Sequence, residues 1–155
     1  MRIVEHAPAL AADFKRLNVE WIEHWFAIEP ADLVVLDDPD GHVLAHGGRI
    51  FYAVDDDDVA VGCVALKHEG DGVYELSKMA VSPERRGGGI GRLLMDAVLG
   101  AFRQSGGTTL YLESNRRLTS ALALYERSGF VERQPPHPSP FSRADVYMVW
   151  EGGER

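Results

Sequence analysis

Apolar positions recur at helical spacing near the start of the chain, at Leu10, Phe14, Leu17, Trp21 and Trp25. This spacing predicts a long first helix with one apolar stripe. A short strand, Arg2 to His6, precedes it, and a second helix is expected around Pro30 to Leu36. The run Asp37-Asp38-Pro39-Asp40-Gly41 then breaks the pattern. Ile50 to Val54 and Val59 to Lys67 read as the arms of a hairpin, and Glu69-Gly70-Asp71-Gly72 turns into a further strand, Val73 to Val81. Helical spacing returns at Ile90, Leu94, Ala97, Val98 and Ala101. Thr108 to Glu113 alternates as a strand, and Ala121 to Ser128 reads as a helix stopped by a C′ glycine, Gly129. The proline-rich stretch Gln134 to Pro140 is an irregular loop, and Ala144 to Glu151 is the last strand. With no repeat or linker, residues 1–155 are expected to form one domain.

The most informative stretch lies between the Val73 strand and the helix that follows it: Arg85-Arg86-Gly87-Gly88-Gly89-Ile90-Gly91-Arg92. A strand, a glycine-rich loop and a helix start bring successive backbone N–H groups and the positive end of a helix dipole to one spot. That favours an anionic ligand, especially a phosphate. Glycine suits such a loop because it admits φ > 0 and close approach. Two familiar phosphate loops do not fit. A P-loop requires Lys and then Ser or Thr after its last Gly, but Arg92 and Leu93 follow Gly91. The dinucleotide fingerprint G-x-G-x-x-G ends on Arg92 when read from Gly87, and on Leu94 when read from Gly89.

The pattern that does fit is Arg-x-x-Gly-x-Gly, with Arg86, Gly89 and Gly91, opening a helix after a strand that ends Met79-Ala80-Val81. It resembles the acetyl-CoA pyrophosphate loop of the GNAT superfamily of N-acetyltransferases. A second segment, with Ala121, Tyr125, Gly129 and Phe130, is similar to the A-x-x-x-Y-x-x-x-G-F signature of that family. The two motifs stand in the family's order with a strand between them, and the resemblance is specific from about Val73 to Phe130. It implies an α/β fold of the α+β type, with a mixed, mostly antiparallel central sheet flanked by about four helices.

The resemblance also assigns roles. Acetyl-CoA is the expected co-substrate, with no metal. The backbone of Met79, Ala80 and Val81 is expected to pair with the pantetheine arm as an added strand. The N–H groups of Arg86, Gly87, Gly88, Gly89, Ile90, Gly91 and Arg92 are expected to hold the pyrophosphate. The Arg86 side chain adds charge there, while Arg85 is expected to face solvent. Glu75, four residues before Met79, is the candidate base for the acceptor amine, directly or through a water. Tyr125 is the candidate proton donor to the departing thiolate, or a hydrogen-bond donor to its sulfur. The family's asparagine seven residues before the tyrosine is replaced here by Leu118. Asn115, ten residues before Tyr125, either reaches the pantetheine or caps a turn. The acceptor side is expected near Trp21, His24, Trp25 and His137 to Arg143, although the helical stripe makes Trp21 and Trp25 core residues.

Composition narrows the partners. The 155 residues carry a net charge of −8, and no basic stripe marks a nucleic-acid surface. Acidity favours a cationic acceptor such as an amine. Asp55-Asp56-Asp57-Asp58 reads as a solvated hairpin turn, because adjacent carboxylates do not converge on one ion. No apolar run approaches the ~20 residues of a membrane span. The single cysteine, Cys63, suits a reducing cytoplasm and reads as an inert core thiol. The expected activity is acetyl transfer to a primary amine of a small molecule, such as an amino acid, a polyamine or an antibiotic-like amine. Acetylation of a protein N-terminus or lysine, and a non-catalytic acyl-CoA-binding module, are the alternatives. A homodimer is compatible with these features, and the sequence does not fix the oligomeric state.

Overall fold

Alternation along the strands gives each face of the sheet its own layer of helices. In the computed structural model, which describes residues 1–152, seven strands lie in the order β1-β2-β3-β4-β5-β7-β6. They are β1 (Arg2–Glu5), β2 (Arg49–Val54), β3 (Ala60–Gly70), β4 (Val73–Val81), β5 (Thr109–Ser114), β6 (Phe130–Glu132) and β7 (Val146–Trp150). Every neighbouring pair is antiparallel except β4 and β5. The helices are α1 (Ala11–Trp25), α2 (Pro30–Asp37), the four-residue α3 (Pro39–His42), α4 (Ile90–Ser105) and α5 (Thr119–Ser128). Phe51, Ala53, Val64 and Leu66 pack with Leu94, Met95, Val98 and Phe102 of α4 and with Tyr125 of α5. Ile50, Tyr52, Cys63 and Ala65 pack on the other face against Phe14 and Leu17 of α1 and Val35 and Leu36 of α2. None of the helices among the described residues is long and apolar enough to cross a membrane.

The mixed sheet and the order of elements follow the hydrophobic pattern, with four local differences. The Asp37–Gly41 breaker contains α3, because Asp38 caps it by accepting a hydrogen bond from the Gly41 N–H at 3.0 Å and Pro39 pre-sets its first turn. The short β6 follows Gly129 directly, three residues being too few to show a period. β3 runs on to Gly70, beyond the expected Lys67. The buried face of α1 runs through Phe14, Leu17, Asn18 and Ile22, so Trp21 and Trp25 are only half-buried rather than core.

One irregularity in β4 organises the centre. Ala65 pairs with Ser77 and Cys63 with Ala80, so β4 has one residue more than β3 between those pairs. Lys78, at φ 55, takes up the extra length in the left-handed region. Because side chains alternate along a strand, one extra residue exchanges the two faces. Tyr74 and Leu76 before the bulge belong to the α4 core, whereas Ala80 after it joins the α1 core.

The bulge is held electrostatically. The Lys78 ammonium reaches Asp32 of α2 at 2.7 Å, and Arg143, from the segment before β7, donates to both oxygens of the same carboxylate. Asp32 is fully buried. Burial alone would raise its carboxyl, but the hydrogen bonds from Arg143, Lys78 and the Glu29 backbone bring it down to about 2. Asp32→Ala would leave a buried ammonium uncompensated, at an expected cost of about 3–5 kcal/mol. The check is a lower midpoint in urea unfolding, with partial recovery when Lys78→Met is added. An unmoved midpoint would show that the cluster does not hold the bulge.

Candidate active site

The parallel strands β4 and β5 pair over only three positions, Val73 with Thr109, Tyr74 with Leu110 and Glu75 with Tyr111. Beyond them β4 stays with β3, and β5 stays with β7. The edge of β4 that faces β5, from Ser77 to Val81, is therefore without a sheet partner, which is the condition for an extended ligand to add as a strand. A cavity of about 110 Å³ occupies the opening, walled by Trp21, Ile22, Met79, Ser114, Leu118 and Tyr125. A wider cavity of about 560 Å³ lies beyond it, and Glu75, Ser77, Lys78, Glu113 and Phe141 line both.

At the end of β4 the glycine-rich loop leads into α4. Gly87 and Gly89 both have φ 82, and nothing lies within 4 Å of a side chain built on either. Backbone conformation, not crowding, demands glycine there. Gly89 is the N-cap of α4 and makes no side-chain cap, so the first N–H groups of a sixteen-residue helix are free for a ligand. Ile90 is buried in the core beside Gly62, where a Cβ would come within 2.9 Å of the Ile90 side chain, and this contact sets the helix start against β3. Gly91 faces Leu124 of α5, 3.2 Å from where its Cβ would lie. Gly88 is exposed, and Arg92 pairs with Asp96 at the surface, 3.1 Å away.

The two arginines that open the loop have different tasks. Arg85 does not face solvent freely, because it binds the Asp55 carboxylate at 2.8 Å. Asp55 is itself buried and accepts the N–H groups of Asp57 and Val59, so the first member of the acidic run anchors the loop while Asp56, Asp57 and Asp58 remain in solvent. The Arg86 guanidinium lies 4.7 Å from the centre of the Trp21 ring. Its Nε and Nη2 are buried and have no acceptor among the described residues. Unsatisfied buried donors of a cation are costly, and beside a row of free N–H groups they suit an anionic ligand.

Glu75 lies on β4 between Tyr74 and Leu76, on the opposite face from both, and its carboxylate makes no hydrogen bond with another described residue. Burial, reinforced by Glu69 and Glu113 against the opposing Lys67 and Lys78, pushes its carboxyl up to about 7. Tyr125 packs its ring edge-on to Phe130 at 6.1 Å and lines the same small cavity as Glu75. Burial raises its hydroxyl to about 12, so it keeps its proton at neutral pH. Met79 lines the small cavity, while Ala80 and Val81 turn their side chains into the two cores and leave only backbone toward the opening. Asn115 lines the small cavity, and it also holds a turn: its amide donates to the Arg143 carbonyl at 2.7 Å and accepts the Arg117 N–H at 2.8 Å.

Glu113, Asn18 and Lys78 are among the cleft residues that local sequence does not single out. Glu113 of β5 lies on the Glu75 face, two residues beyond Tyr111, which is the register partner of Glu75. Its alternation with Leu110 and Leu112 was visible, but its nearness to Glu75 depends on strand pairing. Asn18 is a buried polar residue of α1 that donates to the Phe14 carbonyl and the Cys63 sulfur and borders the small cavity. Lys78 read as an ordinary strand residue. Of the expected acceptor-side residues, Trp21 and Arg143 line the small cavity, His137 and Pro140 the wider one and Phe141 both, whereas His24 and Trp25 line neither.

The sequence profile described as acetyltransferase (GNAT) family matches residues 11–130. An "IAA acetyltransferase" of Azospirillum brasilense is 38% identical over 86 residues, which span 53% of this chain and 56% of that protein. An uncharacterized N-acetyltransferase of Schizosaccharomyces pombe is 29% identical over 143 residues, covering 90% of this chain and 86% of the other. A crystal structure of a GNAT-family acetyltransferase from Staphylococcus aureus superposes with a TM-score of 0.87 over 96% of this chain and 97% of that one, at 20% identity. At that identity the likeness is one of fold.

The loop geometry generates a binding prediction. Gly89→Val forces a branched side chain into the left-handed region at the helix N-cap. Its affinity for coenzyme A, measured by calorimetry, is expected to fall about tenfold or more, one decade being ~1.4 kcal/mol. Unchanged affinity in a folded variant would remove the loop from the binding site.

Proposed function

The chain belongs to the acetyltransferase (GNAT) family, whose members are acetyl-CoA-dependent acetyltransferases, and we propose that it acetylates a primary amine of a small molecule by direct attack in a ternary complex. The observation that carries this reading is the pair Glu75 and Tyr125 on the walls of one cavity, in the opening between β4 and β5. One group with a raised carboxyl and one with a retained phenolic proton serve the two ends of an acyl transfer.

The free β4 edge at Met79, Ala80 and Val81 suits the amide-bearing pantetheine arm. The N–H groups from Arg86 to Arg92 suit the pyrophosphate, with the unpartnered donors of Arg86 beside them. When bound, acetyl-CoA supplies the activated thioester. Glu75 Oε takes the proton of the attacking amine, directly or through one water. Such help is needed because an aliphatic ammonium has a pKa near ~10.4. Tyr125 Oη offers its proton to the sulfur that leaves, whose thiol has a pKa of ~8.5 by analogy with cysteine. Its hydroxyl has no partner among the described residues and lies in the cavity wall, free for that contact. Asn115 lines the cavity itself and fixes the turn that presents Leu118 beside it.

Two variants test the assignment. Tyr125→Phe keeps the ring and is expected to leave coenzyme A binding intact while slowing acetylation by ~10²-fold, a usual magnitude for one proton-transfer group. For Glu75 the sign follows from the raised pKa. Below about 7 the carboxyl already holds a proton and cannot accept another, so kcat/KM should climb as the pH rises through about 7. Glu75→Gln should lose that limb and retain only the slope set by the amine's own deprotonation. Wild-type rates and an unchanged pH profile in both variants would leave positioning alone as the source of catalysis.

A further inference from the structure

The wider cavity carries information about the acceptor. Its floor is the stretch of sheet where Lys67, Glu75 and Tyr111 stand in register across β3, β4 and β5. Four carboxylates border it, those of Glu69, Asp71, Glu75 and Glu113. The neighbouring cations answer only part of this charge. Lys78 is committed to Asp32 at 2.7 Å, and Lys67 lies 3.9 Å from Glu69. Glu75 and Glu113 line the cavity and neither makes an ion pair with a described residue, although Lys67 and Lys78 oppose part of the Glu75 charge; Glu75 is half-buried and its carboxylate makes no hydrogen bond with a described residue.

Toward β7 the same sheet surface becomes aromatic. Tyr111 and Tyr147 stack at 5.4 Å, and Phe141 closes the side toward Lys78. Tyr111 donates its hydroxyl to Glu69 at 2.7 Å. Burial, and then the fields of Glu75, Glu69 and Glu113, push that hydroxyl far above its ordinary range. Burial, Glu113 and Glu75 shift Tyr147 in the same direction. Both tyrosines line the cavity with Glu75 and Glu113. Carboxylates set beside flat aromatic faces favour an organic ammonium, through charge and through the ring quadrupoles. A carboxylate-bearing ligand meets four carboxylates there, against Lys67, Lys78 and the imidazoles of His42 and His137.

We propose that the acceptor is a short aliphatic diamine or polyamine, with one amine at Glu75 and a second ammonium among Glu113, Glu69 and the Tyr111–Tyr147 pair. This rests on the reading of the cleft as an acetyl-transfer site and selects one class of amine within it. The same arrangement disfavours amino acids, whose carboxylate would enter the acidic cavity beside the reacting nitrogen.

The test compares 1,4-diaminobutane, butylamine and 4-aminobutanoate, matched in length, by thiol release from acetyl-CoA at one pH and ionic strength. The expected order of kcat/KM is diamine above monoamine above amino acid, with about tenfold between neighbours. The diamine advantage should shrink as salt is added. Glu69→Gln and Glu113→Gln should each narrow the ratio of diamine to monoamine several-fold. Equal or reversed ranking with measurable turnover would overturn the diamine assignment and leave acetyl transfer standing. If none of the three amines is acetylated, calorimetry of the coenzyme A-loaded protein with diaminobutane and butylamine decides separately. Tighter diamine binding then upholds the cleft chemistry while sinking the proposed reaction, and equal or absent binding sinks the inference.

Discussion

A single extra residue in β4 sets the geometry on which the rest of this protein depends. Lys78 adopts a left-handed backbone conformation that a residue with a Cβ normally avoids, at a cost of order 1–2 kcal/mol. The bulge turns β4 away from β5 after three paired positions and exchanges the faces of the strand at that point. Glu75 and Ser77, before the bulge, look into the cleft, while Met79 and Val81, after it, rest against the α4 core. Without the extra residue the two parallel strands would have no reason to part, and the sheet would offer no internal edge.

Such a distortion persists only where its surroundings determine it. Here Asp32 of α2 binds Lys78 from below, and Arg143 binds the same carboxylate from the segment before β7. Arg143 also binds Glu29, whose side chain takes the Ser142 N–H and hydroxyl, and its carbonyl receives Asn115. One buried carboxylate thus ties together α2, the β4 bulge, the acceptor-side segment and the turn before α5. Charges hold this junction because three irregular segments meet there, and none has a regular hydrogen-bonding partner to offer.

The cleft divides chemically along its length. At the loop end are free N–H groups and an arginine with unsatisfied donors, a setting for anions. At the far end four carboxylates stand beside tyrosines and are only partly answered by Lys67 and Lys78, a setting that favours cations. Glu75 and Tyr125 lie where the two meet. Burial raises both their pKa values, yet with opposite consequences. The carboxyl is brought near neutrality, where it can exchange a proton, while the phenol is kept protonated. In the proposed reaction, a polar gradient of this kind would orient a phosphate-bearing donor and an amine acceptor toward each other.

Much of this was legible in the residues themselves. The periods of 2 and 3.6 gave the strand and helix order, and the positive φ at Gly87, Gly89 and Gly129 is what their place at a loop or helix end requires. Motif spacing singled out Glu75, Tyr125 and the loop because each depends on local sequence. Trp21 shows the limit: its position in the apolar stripe marked it as core, yet it half-emerges to line the cleft beneath Arg86. Asp32, Lys78 and Arg143 come from segments 46 and 111 residues apart, and no local pattern relates them. The nearness of Glu113 to Glu75, the bulge that opens the sheet, and the change of Arg85 from a solvent arginine to an anchor for Asp55 have the same origin. Local sequence determines which elements form and which conformations their glycines must take. Which charges meet in the cleft is decided by strand register and by segments distant in the chain, because the pairing energy exists only after the sheet has assembled.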